Sequence, residues 1–134
     1  MVLDASAVLA LLRDEPGAEL VANALRESPK DESGYRGLLS AVNAVEVLQV
    51  ATRAAAEGLL AKDSPIGVVA FTTEHARKAA EFREPTRHLG LSLADRACLA
   101  LGDVTGHTVL TGDGEWLQVS LGVTVRHIRP QATG

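Results

Sequence analysis

The stretch Met1-Val2-Leu3-Asp4-Ala5-Ser6 decides how the rest of the chain is interpreted. Two apolar residues run directly into an acid, and a helical pattern over residues 6–12 follows at once. This order predicts a short buried strand, a sharp turn and a helix start, with Asp4 at the carboxyl end of the strand. Open α/β sheets bind their ligands at that edge. Because an ionised carboxylate is not left unpaired in a dry site, the sequence predicts a partner for Asp4.

Length and composition are typical of a globular protein, and we expect residues 1–134 to form a single domain. The apolar fraction of 46% excludes a disordered chain, and the aromatic content of 3% excludes a stacking platform for single-stranded nucleic acid. A net charge of −4 provides no general basic surface, so any nucleic-acid contact needs a local patch. Cys98 is the single cysteine, and no apolar run reaches the ~18 residues of a spanning helix. These features predict a cytoplasmic protein.

Strand and helix patterns alternate along the chain. Short apolar runs predict further strands at 38–39, 66–71, 108–110 and 122–128, and the segments between them predict helices. Such alternation is typical of a mostly parallel sheet with helices on both faces. We therefore expect a three-layer α/β/α fold with five strands. Residues 28–37, with Pro, Ser, two Gly and several charges, predict an exposed loop.

Two further acids interrupt apolar helix faces. Glu46 lies among valines and a leucine in a helix predicted to begin after Ser40, and its side chain leans back toward the exit of the second strand. A solvated surface glutamate is the alternative there. Asp95 lies in the first turn of a helix after Ser92, where Ser-x-x-Asp resembles a capping box. Asp95 is therefore either a capping residue alone or also a ligand at the edge of the sheet.

A fourth acid follows the strand predicted at 108–110. Asp113 lies in Thr111-Gly112-Asp113-Gly114-Glu115-Trp116, where Asp-Gly is also a strong hairpin signal. The residues after Trp116 continue poorly as a paired strand, which favours the carboxyl edge of the sheet for Asp113. Glu115 is a competing candidate for the same role.

These acids share a pattern that indicates a common site. Two carboxylates within ~4 Å repel each other by on the order of 4 kcal/mol at an effective dielectric of about 20. Such a cluster takes up protons or binds a cation, and all-oxygen ligands suit Mg²⁺ or Mn²⁺. Either ion lowers the pKa of a bound water and stabilises the leaving oxygen of a phosphodiester. Three short polar side chains beside the acids can orient carboxylates or water, with helix capping the alternative for the first: Ser6, Asn43 and Thr111.

Four motifs occur in a characteristic order: Val2-Leu3-Asp4-Ala5-Ser6, Ser40-x-x-Asn43-x-x-Glu46, residues 91–101 around Asp95, and Val109-Leu110-Thr111-Gly112-Asp113-x-x-Trp116. The pattern resembles PIN-domain proteins, and among them the VapC-type toxins of bacterial toxin–antitoxin pairs. The resemblance implies a parallel five-stranded sheet between helices and a Mg²⁺- or Mn²⁺-dependent endoribonuclease. It implies a catalytic and metal-binding quartet with polar neighbours, namely Asp4, Glu46, Asp95 and Asp113 with Ser6, Asn43 and Thr111.

The resemblance also implies partners. They are an RNA substrate, such as tRNA or another structured RNA, a cognate VapB-type antitoxin that blocks the site, and a second copy in a homodimer built through the early helices. Two features depart from the family pattern. The loop at 28–37 is longer than expected, and Gly114 after the last acid would let Glu115 replace Asp113.

Other chemistry finds less support in the sequence. Cys98 lies on an apolar helix face, which favours the core over a nucleophilic role. A metal-dependent phosphatase or phosphotransferase with Asp4 as nucleophile stays open, although Ser6 stands where a second acid would be expected. A non-catalytic PIN-like domain that binds RNA or protein stays open too. Surface or capping roles are expected for His75, His88, His107 and His127, and phosphate contacts are conceivable for Arg13, Lys62, Arg83, Arg87 and Arg96.

Overall fold

A five-stranded sheet runs through the described part of the chain, which in this computed structural model comprises residues 1–114, 116 and 121–129. The strands are β1 (Val2–Leu3), β2 (Gly37–Ser40), β3 (Ile66–Val69), β4 (Val109–Thr111) and β5 (Val125–His127). The helices are α1 (Ala5–Leu12), α2 (Ala18–Glu27), α3 (Ala41–Val50), α4 (Arg53–Leu60), α5 (Thr73–Glu81) and α6 (Leu93–Thr105), with a 3₁₀ turn at Arg87–Leu89. The strand order is β3-β2-β1-β4-β5, and all neighbouring strands are parallel.

Alternate residues of the short strands face opposite layers of helices. Leu3, Leu39 and Leu110 belong to one buried cluster, which they share with apolar side chains of α1, α2, α3 and α4. Val2, Leu38 and Val109 belong to the other, together with Cys98, Leu99 and Leu101 of α6. The register agrees, because Val2 pairs with Leu38 on one side and with Val109 on the other. The predicted three-layer α/β/α fold is therefore confirmed, with a sheet that is parallel throughout.

Polar residues at the carboxyl edge of the sheet begin three of the surrounding helices. Asp4 caps α1 by accepting from the backbone N–H of Ala7, and Ser40 caps α3. Ser92 caps α6. Such caps satisfy backbone donors that have no partner within the helix. The same caps place the first turns of α1, α3 and α6 around one edge of the sheet.

Some element boundaries differ from those predicted. The helix predicted to begin after Ser40 ends at Val50, because Ala51 is extended, and a second helix follows directly after its cap, Thr52. Helix α6 extends to Thr105 and ends where Gly106 adopts a left-handed conformation at φ 72°. The fifth strand is shorter than the predicted range 122–128.

The loop before β2 has internal order. Asp31 accepts hydrogen bonds from the Ser33 hydroxyl at 2.6 Å and from the Tyr35 backbone N–H at 3.0 Å. The guanidinium of Arg36 donates to the Ser28 carbonyl at 2.7 Å. This loop begins after α2, on the side of the sheet away from the acids that follow β1 and β4. No helix in the described part of the chain combines the length and apolar character needed to span a bilayer.

Candidate active site

The four predicted acids line one cleft at the carboxyl edge of the sheet. Asp4 follows β1, and Asp113 follows β4, the strand beside β1. Glu46 comes from α3 and Asp95 from the first turn of α6. The cleft has a volume of about 130 Å³ and is lined by Asp4, Ala5, Ser6, Asn43, Glu46, Asp95 and Asp113.

The acidic cleft is smaller than another pocket of the protein. A groove of about 580 Å³ lies at the opposite edge of the sheet, beside Met1 and Arg126. Its described lining includes one acid, Glu27. We place the functional site at the smaller cleft because acids from four separate segments of the chain meet there.

Asp4 is the most buried of the four carboxylates, with 6% of its surface exposed. Its Oδ1 accepts from the Ser6 hydroxyl at 2.6 Å and from the Ala7 backbone N–H at 2.8 Å. Its Oδ2 accepts from the Thr111 hydroxyl at 2.6 Å. Burial raises the pKa of Asp4 above its ordinary value, the three hydrogen bonds oppose that rise, and the charge of Asp95 adds to it.

Backbone groups of the loop after β4 orient the two hydroxyls that reach Asp4. Ser6 Oγ accepts from the Gly112 N–H at 2.7 Å, and Thr111 Oγ1 accepts from the Asp113 N–H at 3.0 Å. Each hydroxyl therefore has its proton directed to the carboxylate. Gly112 suits this crowded position, because a Cβ there would lie 3.1 Å from Ser6 Oγ and 2.8 Å from Arg129 Nη1.

Asp95 is a capping residue that also lies at the cleft. It forms a capping box with Ser92, in which the Ser92 N–H donates to Asp95 Oδ2 at 2.9 Å and the Asp95 N–H donates to Ser92 Oγ at 3.1 Å. It also lines the cleft. The capping box occupies one carboxylate oxygen, so the second remains available to a ligand.

Asn43 is buried between α3 and α6. Its Nδ2 donates to the Ala94 carbonyl at 3.0 Å and to Glu46 Oε1 at 3.3 Å. Both partners are acceptors, which fixes the orientation of the amide. Asn43 Oδ1 is buried and accepts no hydrogen bond from the described residues. An orphaned buried oxygen beside four acids is the kind of ligand that a hard cation takes.

The remaining two acids are more exposed. Glu46 is on the solvent side of α3 and receives the bond from Asn43. Asp113 is exposed, and its backbone carbonyl accepts from the Trp116 N–H at 3.3 Å. Glu115, the alternative to Asp113, lies outside the described residues.

The donor set suits a hard divalent cation, although the side chains do not close into a cage. Among the described residues, no three His, Cys, Asp or Glu side chains form a group able to hold a metal ion as they stand. Mutual repulsion favours separated carboxylates when no cation is present. The fit rests instead on the chemistry of the donors, because the cleft is lined by four acidic residues and Asp4 Oδ2 keeps an unused acceptor position. Asn43, which also lines the cleft, has an amide oxygen without a partner among the described residues.

The structure also places three other candidate residues, Cys98, Arg96 and His75. Cys98 is fully buried as predicted, and burial, with the charges of Asp4, Asp95 and Glu46, raises its pKa well above the usual value. A nucleophilic thiolate is therefore disfavoured. Arg96 turns away from the cleft and donates to the Ala79 carbonyl of α5 at 2.9 Å. His75 is buried beside Phe71, so the surface role expected for it was wrong.

Two residues at the end of β5 contact the loop that carries Asp113, and the sequence analysis did not place them near the site. His127 Nε2 contacts the Gly112 carbonyl at 2.9 Å, and Arg129 Nη1 donates to the same carbonyl at 3.3 Å. The available signal was positional, since both residues end or follow a strand on the edge that carries the acids.

Comparisons with known proteins agree with the fold and the order of the motifs. The model of the PIN domain family matches residues 1–121. Ribonuclease VapC42 of Mycobacterium tuberculosis is 32% identical over 121 residues, which cover 82% of this chain and 88% of that protein.

Solved structures show the same fold at low sequence identity. A toxin–antitoxin complex from Klebsiella pneumoniae has a TM-score of 0.67 at 17% identity, covering 95% of this chain and 96% of that chain. VapC20 of Mycobacterium tuberculosis, described as a sarcin-ricin loop cleaving toxin, has a TM-score of 0.67 at 17% identity, covering 92% and 98%. As its four motifs predicted, the chain belongs to the PIN-domain family, and VapC ribonucleases are among its relatives.

Proposed function

We propose that this protein is a Mg²⁺- or Mn²⁺-dependent endoribonuclease, the toxin of a VapC-type toxin–antitoxin pair, with its site in a single domain over residues 1–134. The observation that carries this proposal is the convergence of four acidic residues from separate segments on one cleft, which Asn43 also lines. The identity to a named ribonuclease supports RNA as the substrate class. A structured RNA is favoured, since VapC20, which shares the fold, is described as cleaving the sarcin-ricin loop.

Asp4 and Asp95 are the principal ligands in this proposal. Bonds within the protein hold both side chains, and they leave an unused acceptor position on Asp4 Oδ2 and the second carboxylate oxygen of Asp95 for the cation. Glu46 and Asp113, the more exposed acids, complete the coordination or hold water beside it. When bound, the cation lowers the pKa of a coordinated water and stabilises the leaving oxygen of the phosphodiester. Ser6 and Thr111 keep Asp4 in one orientation, and Asn43 holds Glu46 against the first turn of α6.

A cognate VapB-type antitoxin is the proposed partner, supported by the toxin–antitoxin complexes that share the fold. Exposed apolar side chains flank the acids in sequence and form an apolar surface that such a partner could bury. Val45 is 55% exposed beside Glu46, and Leu93 is 59% exposed two residues before Asp95. We propose in addition a homodimer built through the early helices, and a cytoplasmic location, where RNA and antitoxin are both present.

The Asp4→Asn, Asp95→Asn double variant tests the proposal. Wild-type protein, incubated with total tRNA and ribosomal RNA, is expected to cut at discrete positions with Mn²⁺ and not with EDTA, as mapped by end sequencing. The double variant is expected to lose cleavage while keeping its circular dichroism spectrum. Asp63→Asn, a change at an exposed acid before β3, is the matched control and should cleave normally.

The outcomes separate the alternatives. Cleavage by the double variant at the wild-type rate would overturn the assignment of Asp4 and Asp95. Mn²⁺ binding without RNA cleavage would favour the non-catalytic PIN-like domain. A phosphotransferase with Asp4 as nucleophile is less compatible with a buried carboxylate that already accepts three hydrogen bonds, and a trapped phospho-aspartate would be needed to support it.

A further inference from the structure

Two side chains from the carboxyl end of β5 converge on one backbone carbonyl beside the acidic cleft. His127 Nε2 lies 2.9 Å from the Gly112 carbonyl oxygen, and Arg129 Nη1 lies 3.3 Å from it. A carbonyl oxygen only accepts, so this contact is a hydrogen bond in the tautomer that carries a proton on Nε2. Neither residue lines the cleft itself.

The peptide that they contact continues into the site. The Gly112 carbonyl and the Asp113 N–H belong to the same peptide unit, and that N–H donates to Thr111 Oγ1 at 3.0 Å. Thr111 in turn donates to Asp4 Oδ2 at 2.6 Å. A donor that polarises the carbonyl strengthens the N–H on the other side of the peptide, by roughly 10–30% per bond in such chains.

We propose that His127 and Arg129 are positioning residues for the acidic cleft, acting on Asp4 through the Gly112–Asp113 peptide and the Thr111 hydroxyl. The proposal rests on the proposed function, since it concerns how firmly Asp4 is presented to a divalent cation. A residue that polarises this chain and holds its loop in place raises the affinity of the site without touching the cation.

Two backbone carbonyls hold the guanidinium of Arg129 in place. Its Nε donates to the Pro16 carbonyl at 2.9 Å, in the turn between α1 and α2, while Nη1 reaches Gly112. Gly17 in the same turn packs so closely on Ile128 that a Cβ there would lie 2.8 Å from Ile128 Cδ1. The guanidinium thus joins the turn between α1 and α2 to the loop after β4 through two backbone carbonyls.

Arg126 provides a matched control on the same strand. It is exposed and lines the groove at the other edge of the sheet with Glu27, away from the acids. An Arg126→Gln variant removes the same charge at a short distance along the chain. It leaves the bonds to Gly112 intact.

The test measures Mn²⁺ affinity by calorimetry, and exchange of the Asp113 amide proton by NMR in metal-free protein. For Arg129→Gln we expect Mn²⁺ binding to weaken on the order of 10-fold and the Asp113 amide to exchange faster. Arg129→Lys, which keeps the charge and can still reach one carbonyl, should recover most of the affinity. Arg126→Gln should match the wild type in both measurements.

Each outcome decides a different point. Wild-type Mn²⁺ affinity in Arg129→Gln, with normal binding by the wild-type protein, would overturn this inference alone. An equal loss in Arg126→Gln would overturn it as well, because a general charge effect would then explain the change. Failure of the wild-type protein to bind Mn²⁺ would overturn the proposed function and this inference with it. If Arg129→Gln does not fold, His127→Ala removes the other contact to the Gly112 carbonyl. A weakened Mn²⁺ affinity in folded His127→Ala then supports the inference, and a wild-type affinity overturns it.

Discussion

Asp4 has two roles at the scale of a single residue. It is the N-cap of α1, and it is also the buried centre of the acidic cleft. Three donors stabilise its charged form, yet burial dominates and raises its pKa. The metal-free protein therefore carries a carboxylate that is costly to ionise in the folded state. A divalent cation would remove that cost.

The pH dependence of stability tests this description of Asp4. Its folded pKa lies above the ordinary value of 3.8, so the folded state binds the proton more tightly than the unfolded state does. Protonated Asp4 therefore contributes its full stabilisation at pH values below 3.8. This contribution is lost as the pH rises through the higher pKa that Asp4 has in the folded state. In EDTA, we expect the free energy of unfolding of the wild-type protein to fall over this pH range. The fall is about 1.4 kcal/mol for each unit by which folding raises the pKa of Asp4.

Urea unfolding at a series of pH values measures the effect. Asp4→Asn lacks the titrating group and should lack this part of the decline, whereas Asp63→Asn should retain it. Identical pH profiles for the wild type and Asp4→Asn would show that Asp4 ionises as easily in the folded protein as in the unfolded one.

At the scale of the element, the first turn of α6 joins local helix chemistry to the site. The capping box of Ser92 and Asp95 begins the helix and also fixes the carboxylate at the cleft. The neighbouring Ala94 carbonyl anchors Asn43. The Ser-x-x-Asp pattern therefore predicted the helix cap correctly. The cap is compatible with the position of Asp95 at the cleft.

A Ser92→Ala variant distinguishes the contribution of the cap to stability from its contribution to the position of Asp95 at the cleft. Ser92→Ala is expected to cost about 1 kcal/mol of stability, as the loss of a helix cap usually does. Thr52→Ala removes the comparable cap of α4, where Thr52 accepts from the Ala55 N–H at 3.2 Å, and should cost a similar amount. RNA cleavage should fall several-fold in Ser92→Ala only, because Asp95 then loses one of the two bonds that fix its turn. Equal cleavage rates in the two variants, assayed well below their melting temperatures, would contradict this.

At the scale of the whole molecule, the sheet order creates the site. Strands β1 and β4 are neighbours, although most of the chain separates them in sequence. Their parallel direction brings Asp4 and the loop from Thr111 to Asp113 to the same edge. The first turns of α3 and α6 then close the cleft from the side. The folded state alone gathers these four acids, so the proposed binding of a cation would stabilise the fold.

Thermal unfolding with added Mn²⁺ measures that coupling. A ligand present at 100 times its dissociation constant stabilises the folded state by about 2.7 kcal/mol, which for a domain of this size corresponds to a rise in melting temperature of roughly 10 °C. We expect such a rise for the wild-type protein and none for the Asp4→Asn, Asp95→Asn double variant. An equal rise in both proteins would place the cation elsewhere on the molecule.

The sequence by itself determined the fold class and predicted the four acids with their polar neighbours, because these depend on short-range patterns. Apolar strands ending in an acid, such as Leu3 before Asp4, and helix starts such as Ser92 are encoded within a few residues. Tertiary structure alone decided that Arg96 faces α5, that Asn43 keeps an unpartnered oxygen, and that His127 and Arg129 reach Gly112. These contacts join segments that are far apart in the chain, and their direction is set by strand order and side-chain packing, which no local pattern records.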